Sequence, residues 1–388
     1  MIDEVGRRVT DRQFPATAAG YQQIVEFLNA QMAVAAVGVE GTGSYGAELA
    51  RSLTRAGFSV IEVTCSNRAA RRLRGKSDPL DAYAAAQAVL AEQAQSVPKS
   101  RDGLVEAIRV LRVARGSAVK SRTVAINQIK AILVAAEDSI RAKYRGLTNL
   151  RMLEALANSR PRTSTASAAS AAGATVVSLK ILATRGQSLN AEISVLDAQL
   201  DELTDLLAPG LKAVHGVGTE VCAQLLITAG DNPERITTEA RFAALVGVAP
   251  IPASSGKTTR HRLSRGGDRA ANAAIHRIVL VRMSTDQRTR DYVTRRSTEG
   301  LSTKEIMRCL KRFVAREMFQ HLTNPRPAPP VDDLRPARLA ANHTLASAAM
   351  QLDTSPNQLS RLERGKTRNP DLERRYREWL GEVAQKAA

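Results

Sequence analysis

Apolar and polar positions change between two periods along the first hundred residues. Residues 21–31 have the 3.6-residue spacing of an amphipathic helix, and the run AVAAVGVE at 33–40 is typical of a buried strand. The same order follows again, with a helix over 45–56 and the strand FSVIEV at 58–63. This alternation predicts an α/β layer.

Two long helical patterns come next. From residue 102 to about 136 the apolar spacing stays near 3.6, and at about 1.5 Å per residue such a helix spans roughly 50 Å. Residues 178–207 form a second, acidic and heptad-like helix. We expect the pair to form a stalk or an antiparallel coiled coil that serves as an oligomer contact. The small polar segment between them, 160–174, is a linker or, because it is rich in alanine, further helix.

The pattern changes again near residue 209 and after residue 322. A basic, mainly helical domain begins with PGLKAVHGVGTEV, and the proline-rich NPRPAPPVDD favours an extended linker. A small helical unit follows. The predicted domains are 1–97 (α/β), 98–208 (coiled coil), 209–322 (basic domain), 323–333 (linker) and 334–388 (helix–turn–helix).

Charge narrows the choice of partner. The 388 residues include 56 Lys and Arg against 38 Asp and Glu, a formal net charge of +18. Such an excess usually complements a polyanion, and nucleic acid is the first candidate. The sequence has no run of about 20 uncharged apolar residues and no secretory leader, so we expect a cytoplasmic protein.

The three cysteines indicate no metal or disulfide chemistry. Cys65, Cys222 and Cys309 lie far apart, without CxxC or Cys/His spacing. This argues against both a disulfide framework and a structural zinc site. We expect them to act as small buried hydrophobic residues.

Three carboxylates are candidates for metal binding. Asp78 and Asp81 open a predicted helix in GKSDPLDA, where Asp78 before Pro79 could be an N-cap and Asp81 would interact with the helix dipole. Local capping is therefore one interpretation of this pair. Glu40 favours the other, because an acidic residue at the carboxyl end of a central strand lies where α/β sheets place their sites. Together the three could hold Mg²⁺ ions for phosphodiester chemistry.

The glycine-rich turn after Glu40 is a weak nucleotide signal. GVEGTGSYG lacks the GxGxxG spacing and the P-loop lysine. A dinucleotide or ATP site is therefore not indicated. The basic run NRAARRLRGKSD before the two aspartates could hold phosphates.

A serine loop precedes a dense group of cations in PIPASSGKTTRHRLSRGGDR. Composition does not choose between Ser254 and Ser255, and a serine loop alone usually means a turn. The cations change that balance, because a serine that attacks a phosphodiester needs the developing charge neutralised. His261 and His276 suit phosphate contacts or packing better than general-base roles. The candidate phosphate-binding side chains are Lys257, Arg260, Arg262, Arg265 and Arg269.

Two further motifs suit DNA. In HGVGTEVCAQLL the backbone amides of Gly216 and Gly218 could grip phosphate in a helical hairpin, although a plain helix–helix turn fits equally. Residues 338–365 have the shape of a supporting helix, a turn and a recognition helix closed by Gly365, and a protein-binding hairpin is the alternative. Side chains suited to base edges and phosphates in that helix are Ser355, Asn357, Gln358 and Arg361.

Taken together, these segments resemble the DEDD transposases of the IS110 family, which also contains the Piv-type DNA invertases and the bridge-RNA-guided recombinases. The resemblance covers nearly the whole chain, with several motifs in the same order. It is carried by FPATAAGYQQIVEFL, VGVEGTGSYG, GKSDPLDA, GVGTEVCAQLLITAGD, PIPASSGKTTRHRLSRGGDRAANAA and RCLKRFVARE.

The resemblance implies a RuvC-like, ribonuclease-H-type domain with four acidic residues, a coiled coil, and a transposase domain whose serine joins covalently to DNA. An RNA from the element would choose the sites. Glu40, Asp78 and Asp81 match the second, third and fourth acidic positions, which would hold Mg²⁺, and Ser255 matches the nucleophile. The C-terminal unit resembles a Cro/Xre-type helix–turn–helix, which many relatives lack.

The first acidic position is the departure from this pattern. The family carries it on a first, central strand, and the opening MIDEVGRRVTD resembles the end of the second strand and its turn. Asp3 would then lie at a hairpin tip, where it is a poor replacement. We expect either a true start upstream of Met1, which we favour, or a truncated copy that lacks one strand and one metal ligand.

Two functional hypotheses follow. The first is a site-specific recombinase that uses the carboxylates and Ser255, assembled as a dimer or tetramer through the coiled coil. The second is a catalytically inactive DNA-binding protein that represses its own element through the C-terminal helices. A structure-selective junction nuclease shares the acidic cluster but gives no reason for the serine loop.

Overall fold

The computed structural model describes residues 1–31, 33–64, 77–160, 170–256, 261–262, 264, 266–366 and 369–387. In these ranges the protein is mainly helical, with two short two-stranded sheets. No helix in the described part of the chain is long and apolar enough to cross a membrane. The strands are β1 (Val37–Glu40), β2 (Val60–Val63), β3 (Ile251–Pro252) and β4 (His261–Arg262). The α-helices are α1 (Ala18–Asn29), α2 (Ala47–Arg55), α3 (Asp78–Leu90), α4 (Leu104–Ala135), α5 (Asp138–Tyr144), α6 (Asn149–Ala157), α7 (Ala171–Leu207), α8 (Pro209–Lys212), α9 (Thr219–Ala229), α10 (Glu239–Leu245), α11 (Arg269–Thr285), α12 (Gln287–Thr298), α13 (Thr303–Thr323), α14 (Leu334–Ala340), α15 (Leu345–Gln351), α16 (Pro356–Glu363) and α17 (Pro370–Ala387).

The chain forms two compact units, and neither is continuous in sequence. Unit 1 consists of Met1–Glu106, Thr228–Arg269 and Ala315–Thr323. Unit 2 consists of Ala107–Ile227, Ala270–Val314 and Asn324–Ala388. The N-terminal α/β segment and the serine-bearing segment therefore share one unit, although residues 107–227 lie between them in sequence. The domain boundaries given above stay predictions.

An α/β layer lies at the centre of the N-terminal part of unit 1. Strands β1 and β2 are parallel, with Val37 opposite Val60 and Glu40 opposite Val63. The buried side chain of Val39 belongs to a core with residues of α1 and α2. Gly38 contacts α3 instead, where a Cβ would lie 3.0 Å from the Ala85 carbonyl oxygen. Because alternate strand residues face opposite sides, α1 and α2 cover one face of the sheet and α3 covers the other. The RuvC-like identity of this layer stays a prediction.

The first eleven residues form a hairpin that contacts α3. Ile2 and Arg8 pair across it in antiparallel fashion. The Tyr83 hydroxyl donates to Asp11 Oδ1 at 2.8 Å, and the Arg8 guanidinium lies 4.3 Å from the centroid of the same ring. This tyrosine is buried, so it fixes the hairpin to the helix.

In unit 2 the two long helices run antiparallel. Arg115 of α4 pairs with Asp197 of α7, and seven residues later Arg122 Nη1 donates to Asn190 Oδ1 at 3.0 Å. Rising numbers in α4 thus meet falling numbers in α7, and Ala118 packs between these pairs against Ile193. Helix α7 begins seven residues earlier than its predicted start at 178. Residues 161–169 of the predicted linker lie outside the described ranges.

The C-terminal part of unit 2 has its own hydrophobic core. Its buried residues run from Val331 to Leu380, with Trp379 packed at the edge. Inside it Arg338 Nε donates to Glu363 Oε1 at 2.7 Å, and the Tyr376 hydroxyl donates to the same oxygen at 2.7 Å. Both charged side chains are almost fully buried, 5% and 3% exposed. This core is held together by a buried ion pair as well as by apolar contact.

The cysteines that the structure describes are free thiols. Cys222 is fully buried, and burial raises the pKa of its thiol to about 12. Cys309 is half-buried. Cys222 therefore behaves as the small hydrophobic residue that the sequence predicts, whereas Cys65 lies outside the described ranges.

Candidate functional site

Glu40 ends β1 with an exposed side chain, directly before a tight loop. Gly41 has φ +70°, in the left-handed region that favours glycine. A Cβ at Gly46 would lie 2.4 Å from the Glu40 carbonyl oxygen, so only glycine lets the loop close over the strand end. The glycines of GVEGTGSYG thus hold the chain close to Glu40, which gives them a structural purpose without any nucleotide.

Asp78 and Asp81 lie in the first turn of α3. The N-cap is Ser77, with φ −150° and ψ 151°, and Asp78 is the first helical residue. The prediction of Asp78 as the N-cap is therefore wrong by one position. Proline at the second helical position and two acidic residues in the first turn still fit a helix N-terminus.

Glu40 and Asp81 each lie a short length of chain from the contact between β1 and α3. Gly38 meets Ala85, and Glu40 is two strand residues further on, about 7 Å. Asp81 is one helical turn from Ala85, about 6 Å. Both positions therefore lie within about one turn of the same strand–helix contact.

The three carboxylates do not form a ready metal site. In the described ranges, which include Glu40, Asp78 and Asp81, no three His, Cys, Asp or Glu side chains are arranged to hold a metal ion. Their chemistry suits Mg²⁺, which prefers carboxylate oxygens, but their present arrangement does not fit the ion. The ligand assignment stays a prediction.

Asp3 is engaged in its own turn. Its Oδ1 accepts from the backbone amides of Val5 and Arg7, and its Oδ2 accepts from Arg7 Nε at 2.7 Å. Hydrogen bonding from the Arg7 amide, together with the Arg7 side chain, lowers the pKa of Asp3. The expected hairpin-tip position is confirmed, and the carboxylate stabilises that tip.

A group of charged residues in unit 1 was not found from the sequence. Glu62 of β2 accepts a hydrogen bond from the buried Thr42 hydroxyl at 2.5 Å and interacts electrostatically with Lys99 and Arg235. Burial, reinforced by repulsion from Arg235, lowers the pKa of Lys99 to about 8. In the sequence only Glu62 is unusual, because it is an acidic residue inside the apolar strand VIEV. Lys99 and Arg235 could not be linked to it, because they come from distant parts of the chain.

The loop after α9 fixes the start of α4. The Val105 amide donates to Asp231 Oδ1 at 2.8 Å. Asn232 accepts from the Ser100 amide and donates to the Pro98 carbonyl oxygen at 2.9 Å. These bonds attach residues 98–105 to residues 231–232, and so join the N-terminal segment of unit 1 to the segment that carries the serines.

The two serines follow β3 on an exposed segment. Strands β3 and β4 are antiparallel, with Ile251 opposite Arg262, and Ser254, Ser255 and Gly256 between them are exposed. Gly256 has φ +54°. The cations Arg262 and Arg269 are exposed as well. Lys257, Arg260 and Arg265 lie outside the described residues.

Past β4 the chain is anchored in unit 1. A Cβ at Gly267 would lie 2.5 Å from the Leu245 carbonyl oxygen, and the Asp268 amide donates to that oxygen at 2.7 Å. The Thr228 hydroxyl donates to Asp268 Oδ2 at 2.8 Å. The hairpin is therefore held at its base while its serines face solvent.

The glycine hairpin before α9 has one buried and one open glycine. Gly216 has φ +85°, and a Cβ there would lie 3.3 Å from Ile278 of α11. A Cβ at Gly218 would meet nothing within 4 Å. Packing against Ile278 and a positive φ thus explain the glycine at position 216, whereas the backbone of Gly218 is more accessible. The DNA contact of Gly216 and Gly218 stays a prediction.

His276 of α11 lies in a polar group within unit 2. Burial, followed by repulsion from Lys311, lowers the pKa of its imidazole. Lys311 Nζ donates to Asn272 Oδ1 at 2.6 Å, one helical turn before His276. A histidine that is neutral at pH 7 beside a lysine is compatible with packing or phosphate contact.

Two of the four side chains predicted to contact DNA in the C-terminal unit have a structural use. Ser355 Oγ accepts from the Gln358 amide at 3.2 Å, and Gln358 Oε1 accepts from the Ser355 amide, which forms a capping box at the start of α16. Asn357 and Arg361 are exposed on the same helix. The DNA-binding role of this helix stays a prediction.

Comparison with known proteins identifies the class. Residues 1–136 match a family model described as a transposase, and residues 208–294 match the model of the "Transposase IS116/IS110/IS902 family". The chain is 31% identical over 124 residues to "Insertion element IS110 uncharacterized 43.6 kDa protein" of Streptomyces coelicolor, covering 31% of this chain and 30% of that protein. It is 28% identical over 134 residues to "Insertion element IS900 uncharacterized 42 kDa protein" of Mycobacterium paratuberculosis, covering 34% of each. Each match spans about a third of the relative's length.

These similarities place the chain among the transposases of insertion elements. The two family models together cover more than half of its residues, and the first includes Glu40, Asp78 and Asp81 while the second includes Ser255. The chain belongs to the IS110/IS116/IS902 family of transposases.

Proposed function

We propose that this protein is a DNA transposase that cuts and rejoins strands with Ser255 as the nucleophile. One observation carries the proposal: the segment with Glu40, Asp78 and Asp81 and the segment with Ser255 share one compact unit. The hydrogen bonds of Asp231 and Asn232 join these segments directly. Family membership over both segments supports the same reading.

In the proposed reaction Ser255 Oγ attacks a DNA phosphorus atom. The Oγ–P bond forms, a P–O bond to one deoxyribose breaks, and the released hydroxyl takes up a proton. Attack by a second strand's hydroxyl on the serine–DNA ester then rejoins DNA and restores the serine. The number of phosphoester bonds is unchanged, so no energy source is needed. The exposed guanidinium groups of Arg262 and Arg269 suit neutralisation of phosphate charge.

We further propose Glu40, Asp78 and Asp81 as ligands of Mg²⁺. When bound, a divalent ion would stabilise negative charge on phosphate oxygens. Because the three carboxylates are not arranged to hold a metal ion in this structure, Mg²⁺ binding requires their side chains to move closer to one another. Calorimetric titration of the protein with MgCl₂, against a Glu40→Gln variant, tests this assignment without measuring activity.

The nucleophile is tested by trapping the covalent intermediate. Wild type, Ser255→Ala and Ser254→Ala are incubated with labelled DNA that carries the element's ends, then denatured and separated by electrophoresis. We expect labelled protein with wild type and Ser254→Ala, and none with Ser255→Ala. Adjacent serines on one exposed loop make a close control for folding. Trapping by Ser255→Ala but not by Ser254→Ala would move the role to the other serine.

The partners proposed for this activity are double-stranded DNA, a guide RNA and further copies of the chain. The net charge of +18 supports nucleic acid in general, and the resemblance to guided recombinases supports the RNA. The antiparallel pair of α4 and α7 supports assembly, since α4 carries exposed valines such as Val113, 62%, and Val134, 73%. Co-purification of RNA and sedimentation of the full chain test these two partners.

A second candidate is a DNA-binding repressor that acts through α15 and α16. The observation in its favour is the separate core of residues 331–380, which would allow the C-terminal helices to act as a module. Arg361→Ala and Asn357→Ala should then abolish sequence-specific binding. Retained covalent chemistry in those variants would assign the main function to unit 1.

A further inference from the structure

Tyr45 is the most exposed large apolar side chain in the described part of the molecule. It is 98% exposed, and the next, Met350, is 76% exposed. The chain contains 6 Tyr, 6 Phe and 1 Trp, so aromatic residues are scarce. A ring left wholly in water contributes no burial to folding, and the structure of this chain alone gives no reason for its position.

The loop that carries Tyr45 is fixed. The amides of Ser44 and Gly46 both donate to the Gly41 carbonyl oxygen, at 2.8 and 3.0 Å. Thr42 in the same loop is buried and bonded to Glu62. The exposed ring is therefore presented by a constrained backbone, and a ligand stacking on it would order only the side chain.

An arginine lies against the same loop. A Cβ at Gly43 would be 3.7 Å from Arg101 Nη2, and Gly43 is two residues, at most about 7 Å of chain, from Tyr45. In the ranges that the structure covers, no carboxylate oxygen lies within ion-pair distance of this guanidinium, so its charge faces no fixed counter-ion.

The backbone of Arg101 is strained. Its φ of +55° lies in the left-handed region, which residues other than glycine rarely occupy. Its carbonyl oxygen accepts a hydrogen bond from Arg51 Nη1 at 3.5 Å, which helps to hold that conformation. Backbone outliers of this kind cluster at active sites and ligand clamps, although helix ends also carry them.

We propose that Tyr45 and Arg101 together bind one nucleotide of an unpaired DNA strand beside Glu40. The base stacks on the Tyr45 ring, and the adjacent phosphate binds the Arg101 guanidinium. Stacking on an aromatic ring is open to a base whose face is free, whereas a base inside a duplex has both faces covered by its neighbours. The inference rests on the proposed DNA transposase function and adds an element that captures an opened strand next to the acidic residues.

The test compares variants on a single-stranded oligonucleotide and on the matching duplex, using the full chain and fluorescence anisotropy at fixed salt. Tyr45→Ala should weaken binding to the single strand by about 5- to 150-fold, the effect of losing one stacked base. Tyr45→Phe should bind like wild type, because it keeps the ring. Val5→Ala, also exposed in unit 1, is the matched control. Arg101→Gln should reduce the salt dependence of log K by about 0.7, the value for one phosphate on a single strand.

The outcomes separate this inference from the proposed function. If wild type binds DNA and Tyr45→Ala binds the single strand equally well, the stacking role is overturned while the transposase proposal stands. An equal loss on single strand and duplex overturns the preference for an unpaired base. An unchanged salt slope in Arg101→Gln overturns the phosphate contact. If wild type binds neither DNA, the proposed function itself fails.

Discussion

Removal of the Glu363 carboxylate should unfold the C-terminal core. In Glu363→Ala the Arg338 guanidinium stays buried without its counter-ion, and the Tyr376 hydroxyl loses its acceptor. Breaking a buried ion pair from one side costs about 3–5 kcal/mol. A core formed by some 60 residues supplies only about 3–5 kcal/mol in total. We therefore expect this segment to be largely unfolded in the variant before denaturant is added.

The single tryptophan makes the measurement specific. Trp379 packs at the edge of this core, with its ring centroid 4.8 Å from that of His343, so tryptophan emission in urea reports this segment alone. Tyr376→Phe removes one hydrogen bond to a charged acceptor, about 1.5–3 kcal/mol, and should lower the midpoint by about 1–2 M. The matched control is Glu378→Gln, which breaks an exposed pair with Arg374 and should cost under about 0.5 kcal/mol.

The pH dependence gives a second reading of the same pair. Burial raises the pKa of Glu363, but the hydrogen bonds from Arg338 and Tyr376 outweigh burial and leave it below the ordinary 4.5. A carboxyl group with a lowered folded pKa contributes stability above the unfolded pKa and loses it as the pH falls through the folded value. The wild-type urea midpoint should therefore fall below pH 4.5. A Glu363→Ala transition within 1 kcal/mol of wild type at pH 7 would refute the reasoning.

Three further changes should alter the free energy of unfolding. Lys99→Met should stabilise unit 1 at pH 7 by at most about 3 kcal/mol, because the pKa of the lysine is lowered from 10.5 to about 8 and its charged form is disfavoured. In calorimetry the wild type should gain stability between pH 8 and 10.5, whereas the variant should not. Asp231→Ala should cost about 1 kcal/mol in urea unfolding followed by circular dichroism, since the Val105 amide at the start of α4 loses its acceptor, and Asp231→Asn should cost less. Gly210→Ala should cost about 1–3 kcal/mol, because its Cβ would lie 1.9 Å from the Arg326 carbonyl oxygen; an unchanged melting temperature would contradict the close approach.

Much of the secondary structure could be predicted because it depends on local patterns. Helix α4 was expected from 102 to about 136 and is found at Leu104–Ala135, since its apolar spacing stays regular over its whole length. The start of α7 was missed because the preceding residues are alanine, glycine and serine, whose composition leaves linker and helix open. Strand β1 is shorter than the apolar run, because only Val37–Glu40 finds a pairing partner in β2.

The candidate site was predictable in part. Glu40, Asp78, Asp81 and Ser255 stand in recognisable motifs, so the sequence could name them. The group of Glu62, Lys99 and Arg235 could not be named, because its members are isolated charges until the chain brings them together. The exposure of Tyr45 and the strained backbone of Arg101 likewise have no local signal.

The sequence by itself determined the order of elements, the excess of positive charge and the residue types available for phosphate chemistry, because all three depend on neighbouring residues or on composition. The tertiary structure decided which of these meet. It placed the carboxylate segment and the serine segment in one unit, where the hydrogen bonds of residues 231–232 join them. It did not arrange the three carboxylates as a metal site. Contacts between residues more than 100 positions apart depend on the packing of helices and strands, which no local pattern specifies.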